Sequence, residues 1–163
     1  MIRVLTADPL SLVADGLVRP VGGDLEGIHG WSRDAGVRAG PDVLRRLEGM
    51  GELPVGAAVV TPGGRLPVPY LIHAVLFSRE EPLSTPGALR ALKNALRRAS
   101  EWEMASLILP PLGLGAGMLD TETLASVTLR EVERHLAEHP VPSEVSIPVR
   151  EGFEESVFRG ALP

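Results

Sequence analysis

The sequence predicts an α/β domain in which helices pack on a sheet. Three observations carry that reading. Short apolar runs bounded by Pro, Gly and Asp alternate along the chain with stretches of helical periodicity. The chain has 163 residues, a length that buries roughly 70% of its unfolded surface and supports one core without staples. A glycine-rich loop, LILPPLGLGAGMLD at residues 107–120, joins a buried strand pattern to a helix start, at the strand end where open α/β sheets bind ligands.

Taken in order, residues 2–5 and 16–18 are short apolar segments between Asp and Pro, and read as strands. Residues 21–40 are rich in glycine and charge and read as a loop with at most one helical turn. Residues 41–50 form a short helix, with Pro41 at its start and Gly51 after its end. Residues 56–60 and 68–77 are strands separated by the turn TPGGRLP. A long helix follows, capped by Ser84 or Thr85 with Pro86 in its first turn, and Leu89, Leu92, Leu96 and Ala99 recur on its inner face. Residues 105–110 are the next strand. Residues 120–138 are a second long helix with Leu124, Val127, Val132 and Leu136 inward. A strand at 144–149 and a short helix at 152–162 complete the pattern. Strands alternating with helices imply helices packed on one sheet.

Composition narrows the function classes. The formal net charge is -5, which disfavours a general nucleic-acid binder. There is no cysteine, so disulfides and thiolate metal sites are excluded. No apolar run approaches the ~20 residues of a membrane span, and MIRVLTAD does not read as a signal peptide. A cytoplasmic protein is the expectation.

The glycine loop suits a phosphate. Gly113, Gly115 and Gly117 stand at alternate positions, and glycine lets a ligand approach the backbone. Successive N–H groups there form a concave nest for an anion, beside the positive end of the helix near Asp120. The same composition also suits a turn that holds no ligand. A P-loop is excluded because Lys93 follows Leu92 rather than glycine. The Rossmann fingerprint fails at its third glycine, where Met118 stands.

Several segments together resemble the macro domain family of ADP-ribose-binding modules. VGAAVVTPGGRLPVPYLIHAV, LILPPLGLGAGM and, more loosely, ADPLSLVADGLVRPVGG follow the family's order, and Arg33-Asp34-Ala35-Gly36 stands where it has a short helix ending in Ala-Gly. The resemblance spans almost the whole chain. It implies a single three-layer domain over 1–163, with a mixed, mostly parallel sheet between helices and an ADP-ribose cleft at the sheet's edge. By that resemblance Asp8 reads the adenine amino group, beside Pro9. Gly113, Leu114, Gly115, Ala116, Gly117 and Met118 hold the diphosphate. The loop from Gly22 to Gly27, with Gly22, Gly23 and Asp24 as binding residues, faces the distal ribose, and Phe153 is the candidate for stacking on adenine. No cofactor or metal is implied.

Two departures matter. The residue after Asp8 is Pro9, which has no N–H for the base edge, so Leu10 supplies the donor or the base is read differently. The family's Asn-Ala-Ala-Asn falls on Arg19-Pro20-Val21-Gly22, and the only asparagine in the chain is Asn94. The asparagine-based hydrolytic arrangement that the resemblance would imply cannot form at its usual position. Binding of ADP-ribose or a related NAD-derived nucleotide is therefore the expected function. The alternatives are hydrolysis of an ADP-ribosyl ester or ADP-ribose 1″-phosphate through Asp24 and His29, or a poly(A)/RNA-binding role. Arg19 reads either as a phosphate ligand or as a surface or interface arginine.

Other motifs have plainer readings. His135-Leu-Ala-Glu-His139 matches H-x-x-E-H, but Pro140 ends the helix there and no third ligand is at hand. His73 lies in an apolar strand and reads as a hydrogen-bonded core histidine. Arg90, Lys93, Arg97 and Arg98 form a basic helix face that reads as solvated.

Overall fold

The computed structural model describes residues 1–28, 30–114 and 119–163. Six strands, β1 (Ile2–Thr6), β2 (Gly16–Gly22), β3 (Ala58–Pro62), β4 (Tyr70–Phe77), β5 (Ser106–Ile108) and β6 (Glu144–Val149), form one sheet in the order β1-β6-β5-β2-β4-β3. All pairs are parallel except β3 with β4. The helices are α1 (Gly30–Ala39), α2 (Pro41–Glu48), α3 (Thr85–Glu101), α4 (Thr121–Glu138) and α5 (Phe153–Gly160). The result is a single α/β domain of three layers with a mixed, mostly parallel sheet. None of its helices is long and apolar enough to cross a membrane among the described residues.

The strand period of two divides the core. On β4, Ile72, Ala74 and Leu76 pack with α3, α4 and Phe158 of α5, while Leu71 and Val75 pack with α1 and α2. α3 presents Ala88, Ala91, Leu92, Ala95, Leu96 and Ala99 to the sheet, a face of mostly small residues that brings the helix close. Its N-cap is Ser84, whose Oγ accepts from the N–H of Gly87 at 3.0 Å. Asn94 donates to the carbonyl of Gly56 at 2.7 Å, so the chain's one asparagine ties α3 to the segment entering β3.

Two elements differ from their sequence reading. Residues 21–40 hold a ten-residue helix, α1, where a loop was expected. Its buried face is Ser32, Ala35, Gly36 and Ala39, at spacing i, i+3, i+4, i+7. That face is helical in period but small rather than apolar in composition, so a search for hydrophobic periodicity passes over it. β2 runs four residues past its expected end and is buried throughout. The Arg19-Pro20 pair interrupts the apolar pattern there, yet β2 continues along β4. β5 pairs only with Gly16 and Leu17, so beyond Leu17 that side of β2 has no strand whose ladder a proline would break.

The turn between β3 and β4 depends on two glycines. Gly63 donates to the carbonyl of Pro69 at 2.8 Å, and a Cβ on Gly63 would overlap the carbonyl oxygen of Val68. Gly64 has φ of +62°, and a Cβ there would overlap the carbonyl oxygen of Ala39. Backbone atoms cannot give way as a side-chain tip can. Gly63→Ala is therefore expected to lower stability by roughly 2–4 kcal/mol, measured as a reduced midpoint of urea unfolding; an unchanged midpoint would contradict this account of the turn.

Candidate functional site

A cleft opens at the carboxyl ends of β1, β5 and β6, where α1 begins. It consists of two adjoining cavities of about 390 and 480 Å³ that share Ala7, Pro9, Gly30, Trp31, Val149 and Arg150. Pro110, Pro111 and Leu114 extend the first toward the glycine loop. Asp8, Asp34 and Arg38 line the second.

Asp8 caps a 3-10 turn at Pro9–Ser11. Its Oδ1 accepts from the N–H of Leu10 at 2.9 Å, and its carbonyl accepts from the Ser11 N–H at 3.0 Å and hydroxyl at 2.7 Å. The other carboxylate oxygen has no hydrogen-bond partner among the described residues. Pro9 offers no N–H, and the Leu10 N–H is engaged within the turn. Of Asp8, Pro9 and Leu10, which line the second cavity, the group left without a partner among the described residues is thus the second Asp8 carboxylate oxygen, an acceptor.

α1 brings two features to the cleft. Its N-terminus, at Gly30 and Trp31, lines both cavities and carries the partial positive charge of the helix. Trp31, Asp34 and Arg38, at i, i+3 and i+7, share the face that lines the second cavity. Trp31 is the aromatic wall of the cleft, and sequence reading missed it because α1 itself was read as loop. The signal was the spacing of Ser32, Ala35, Gly36 and Ala39, which fixes the opposite face. Phe153, the expected aromatic, is 65% exposed at the first residue of α5 and is not among the residues lining either cavity. Arg150 lies nearer, held by Glu154 through its N–H at 3.1 Å and Nε at 3.3 Å.

Gly113 has φ of +99°, and a Cβ there would lie 2.5 Å from Leu119 Cδ1. Its lack of a side chain therefore makes room for Leu119. Gly115, Ala116, Gly117 and Met118, expected at the diphosphate, and His29, a catalytic candidate, lie outside the described residues. Asp120 caps α4: its carboxylate accepts from the Thr123 N–H at 2.8 Å and hydroxyl at 2.7 Å. Those two bonds hold its pKa below the usual carboxylate range.

The segment at 22–27 folds away from the cleft. Gly22 N–H donates to the Glu26 carbonyl at 3.0 Å and Gly23 N–H to the Phe77 carbonyl at 2.9 Å. Asp24 Oδ1 accepts from the Glu26 N–H at 3.0 Å. Asp24, Leu25, Glu26 and Gly27 line a separate cavity of about 270 Å³ beside α1 and α2.

Arg19 is 2% exposed, which excludes a surface arginine. Its Nε donates to the Ser32 carbonyl at 2.6 Å, and its Nη1 lies 3.2 Å from both the Leu25 carbonyl and His73 Nδ1. His73 is fully buried, with Nε2 2.8 Å from the Thr61 hydroxyl. That hydroxyl donates to the Pro62 carbonyl at 3.0 Å, so it accepts from His73 Nε2–H, and Nδ1 is left to accept from Arg19. Burial, reinforced by the Arg19 cation, pushes the His73 pKa down to about 3. Burial pulls that of Arg19 down to about 10, partly offset by the Glu26 carboxylate.

The remaining motifs engage neighbouring groups. His135 Nε2 lies 3.0 Å from Ser100 Oγ, and its ring stacks on His139 at 4.3 Å. No group of three metal-ligating side chains occurs among the described residues. On the basic face of α3, Arg90 pairs with Glu81, while Arg98 binds the Ala58 carbonyl at 3.0 Å and Glu101 at 2.6 Å.

The His73 geometry has a measurable consequence. Its folded pKa lies below the unfolded value of about 6.5, so the unfolded chain takes up the proton first. Stability is complete at neutral pH and is lost as pH falls from about 6.5 toward 3, by up to ~1.4 kcal/mol per pH unit. The stability gap between wild type and His73→Gln should therefore narrow between pH 7 and pH ~4.5 in urea unfolding, whereas a constant gap would mean that His73 is not held neutral.

Comparison with known proteins agrees with this architecture. A macro domain family model matches residues 25–128. The chain is 27% identical over 151 residues to a macro domain-containing protein of Cupriavidus necator, covering 89% of this chain and 87% of that one. A mutant Oceanobacillus iheyensis macrodomain solved with ADPR superposes with a TM-score of 0.85 at 21% identity, over 97% of this chain and 89% of that one. The Trypanosoma brucei macrodomain in complex with ADP-ribose gives 0.86 at 18%, over 98% and 68%. With half the sheet and three of the five helices inside the matched segment, and the same fold across nearly its whole length, this chain belongs to the macro domain family.

Proposed function

We propose that this protein binds ADP-ribose or a closely related NAD-derived nucleotide in the cleft between β1, β6 and the start of α1. The observation that carries the reading is the placement of Asp8, Trp31, Arg150 and the α1 N-terminus around one cleft beside the glycine loop, in a macro domain whose structural neighbours include ADP-ribose complexes. The free Asp8 oxygen accepts from the exocyclic amino group of adenine. Trp31 and Pro9 supply apolar walls. The α1 N-terminus, Arg150 and the loop at 113–118 take the diphosphate, by helix dipole, guanidinium and backbone N–H respectively.

Binding without turnover is the better supported reading. No asparagine stands in the β2 segment, and Asp24 is engaged with the Glu26 N–H beside another cavity. Nucleic acid is disfavoured by the net charge and by the pairing of Arg90 and Arg98.

Isothermal titration with ADP-ribose should show saturable binding; no heat at millimolar ligand would remove the proposal. Asp8→Ala deletes one charge-assisted hydrogen bond and is expected to weaken binding roughly 10- to 100-fold. ADP-ribose should also quench the fluorescence of Trp31. In Trp31→Phe the quench should disappear while Trp102, exposed at the end of α3, still emits; a quench that survives would take Trp31 out of the cleft's wall.

A further inference from the structure

The cavity beside α1 and α2 plays no part in the proposed cleft. Its volume is about 270 Å³, below the usual range for drug-sized ligands and suited to a smaller one. At its base is Arg19. Nε and Nη1 are hydrogen-bonded, but Nη2 has no hydrogen-bond partner among the described residues. Nη2 lies over Gly36, where a Cβ would stand 2.6 Å away, and both residues line the cavity. No carboxylate of the described residues comes within 4.0 Å of Arg19 as an ion pair. Glu26 acts on this deeply buried guanidinium from beyond ion-pair distance and only partly offsets the cost of its burial, so an anion that meets Nη2 would lower that cost further.

The walls restrict what that anion belongs to. One side is apolar: Leu47 is buried, Leu44 is 38% exposed and Val37 is 73% exposed. The mouth carries Asp24, Glu26 and Glu48, opposed only by Arg33. None of these four charges is in an ion pair among the described residues. Three carboxylates at the mouth repel a phosphate or a dicarboxylate and favour a positive group there.

We infer that this cavity is a second ligand site for a small apolar α-amino acid. The ligand's carboxylate meets Arg19 Nη2, its ammonium lies among Asp24, Glu26 and Glu48, and its side chain lies against Val37, Leu44 and Leu47. The site is independent of the ADP-ribose reading, because none of these residues lines the cleft.

The test is a ¹H–¹⁵N NMR titration of the whole protein with L-leucine, L-leucinamide and 4-methylpentanoate. Leucine should produce saturable shifts at Glu26, Gly27, Gly36 and Leu47, with a millimolar dissociation constant. Leucinamide, which lacks the carboxylate, and 4-methylpentanoate, which lacks the ammonium, should each bind at least roughly tenfold more weakly. Leu44→Asp at the partly exposed wall should abolish the leucine shifts while the rest of the spectrum stays folded. Arg19→Met serves as a second variant where it folds, and should also lose binding. Absence of saturable shifts at roughly 20 mM leucine would overturn the site. Equal binding of leucinamide would remove Arg19 as the anion partner, and equal binding of 4-methylpentanoate would remove the ammonium, so either would overturn the proposed ligand.

Discussion

Arg19 carries a charge into a layer that is otherwise apolar, and the geometry of that side of the sheet follows from how the charge is held. Its guanidinium binds the carbonyls of Leu25 and Ser32 and the ring of His73. One side chain thus ties the middle of β2 to the connection that follows, to the first turn of α1, and across to β4. The helix accommodates this by presenting small residues. Gly36 lies against the guanidinium, and nothing larger fits without displacing Nη2. The His73 ring must stay neutral to accept from a cation, and the Thr61 hydroxyl takes its other nitrogen. Three strands and one helix are joined through the side chains of Arg19, His73 and Thr61 and the carbonyls of Leu25, Ser32 and Pro62.

The cleft inherits its shape from that arrangement. With Ser32 and Gly36 facing Arg19, the helical period directs Trp31, Asp34 and Arg38 to the opposite flank, which is where β1 and β6 deliver Asp8 and Arg150. Small residues on one face of α1 and cleft-lining residues on another are two aspects of one helix rotation. The same rotation leaves a crevice between α1, α2 and the segment at 24–27, floored by the free corner of the guanidinium. The short segment at 22–27 engages the N–H groups of Gly22, Gly23, Leu25 and Glu26 on its own turn and on Phe77, and Gly27 makes room for the backbone of Ser32 and Arg33.

Much of the molecule was legible without coordinates. α3 and α4 announce themselves by periodicity and by Ser84 and Asp120 at their starts; β4 is an apolar run broken only by His73, and in β6 Val145, Ile147 and Val149 alternate with other residues. Asp8 was singled out only by the resemblance of the segments around it, and the structure places it in the lining of the cleft. α1 was not legible from periodicity, and only the family resemblance placed a short helix ending at Gly36 within it. Its buried face is built from Ser, Ala and Gly, which carry no hydrophobic signal, and its stability comes from packing on Arg19 rather than from burying large side chains. The aromatic of the cleft was misplaced for the same reason: Trp31 means little in a loop, and becomes a wall only once α1 fixes its direction.

The sequence by itself determined the class of the fold, the order of the strands and of the helices after α1, the missing asparagine and the limits on chemistry that follow from having no cysteine and one lysine. These rest on residue identity and local period, which neighbours in the chain suffice to specify. Only the tertiary structure decided the roles of Arg19, Leu10 and Trp31. An arginine in a strand reads as surface or ligand until its surroundings are known, and it is buried here because carbonyls from two later segments converge on it. Leu10 looked like a possible donor to a base, and the turn it closes takes that donor away. Such outcomes depend on which groups meet across dozens of residues, and no local pattern records that.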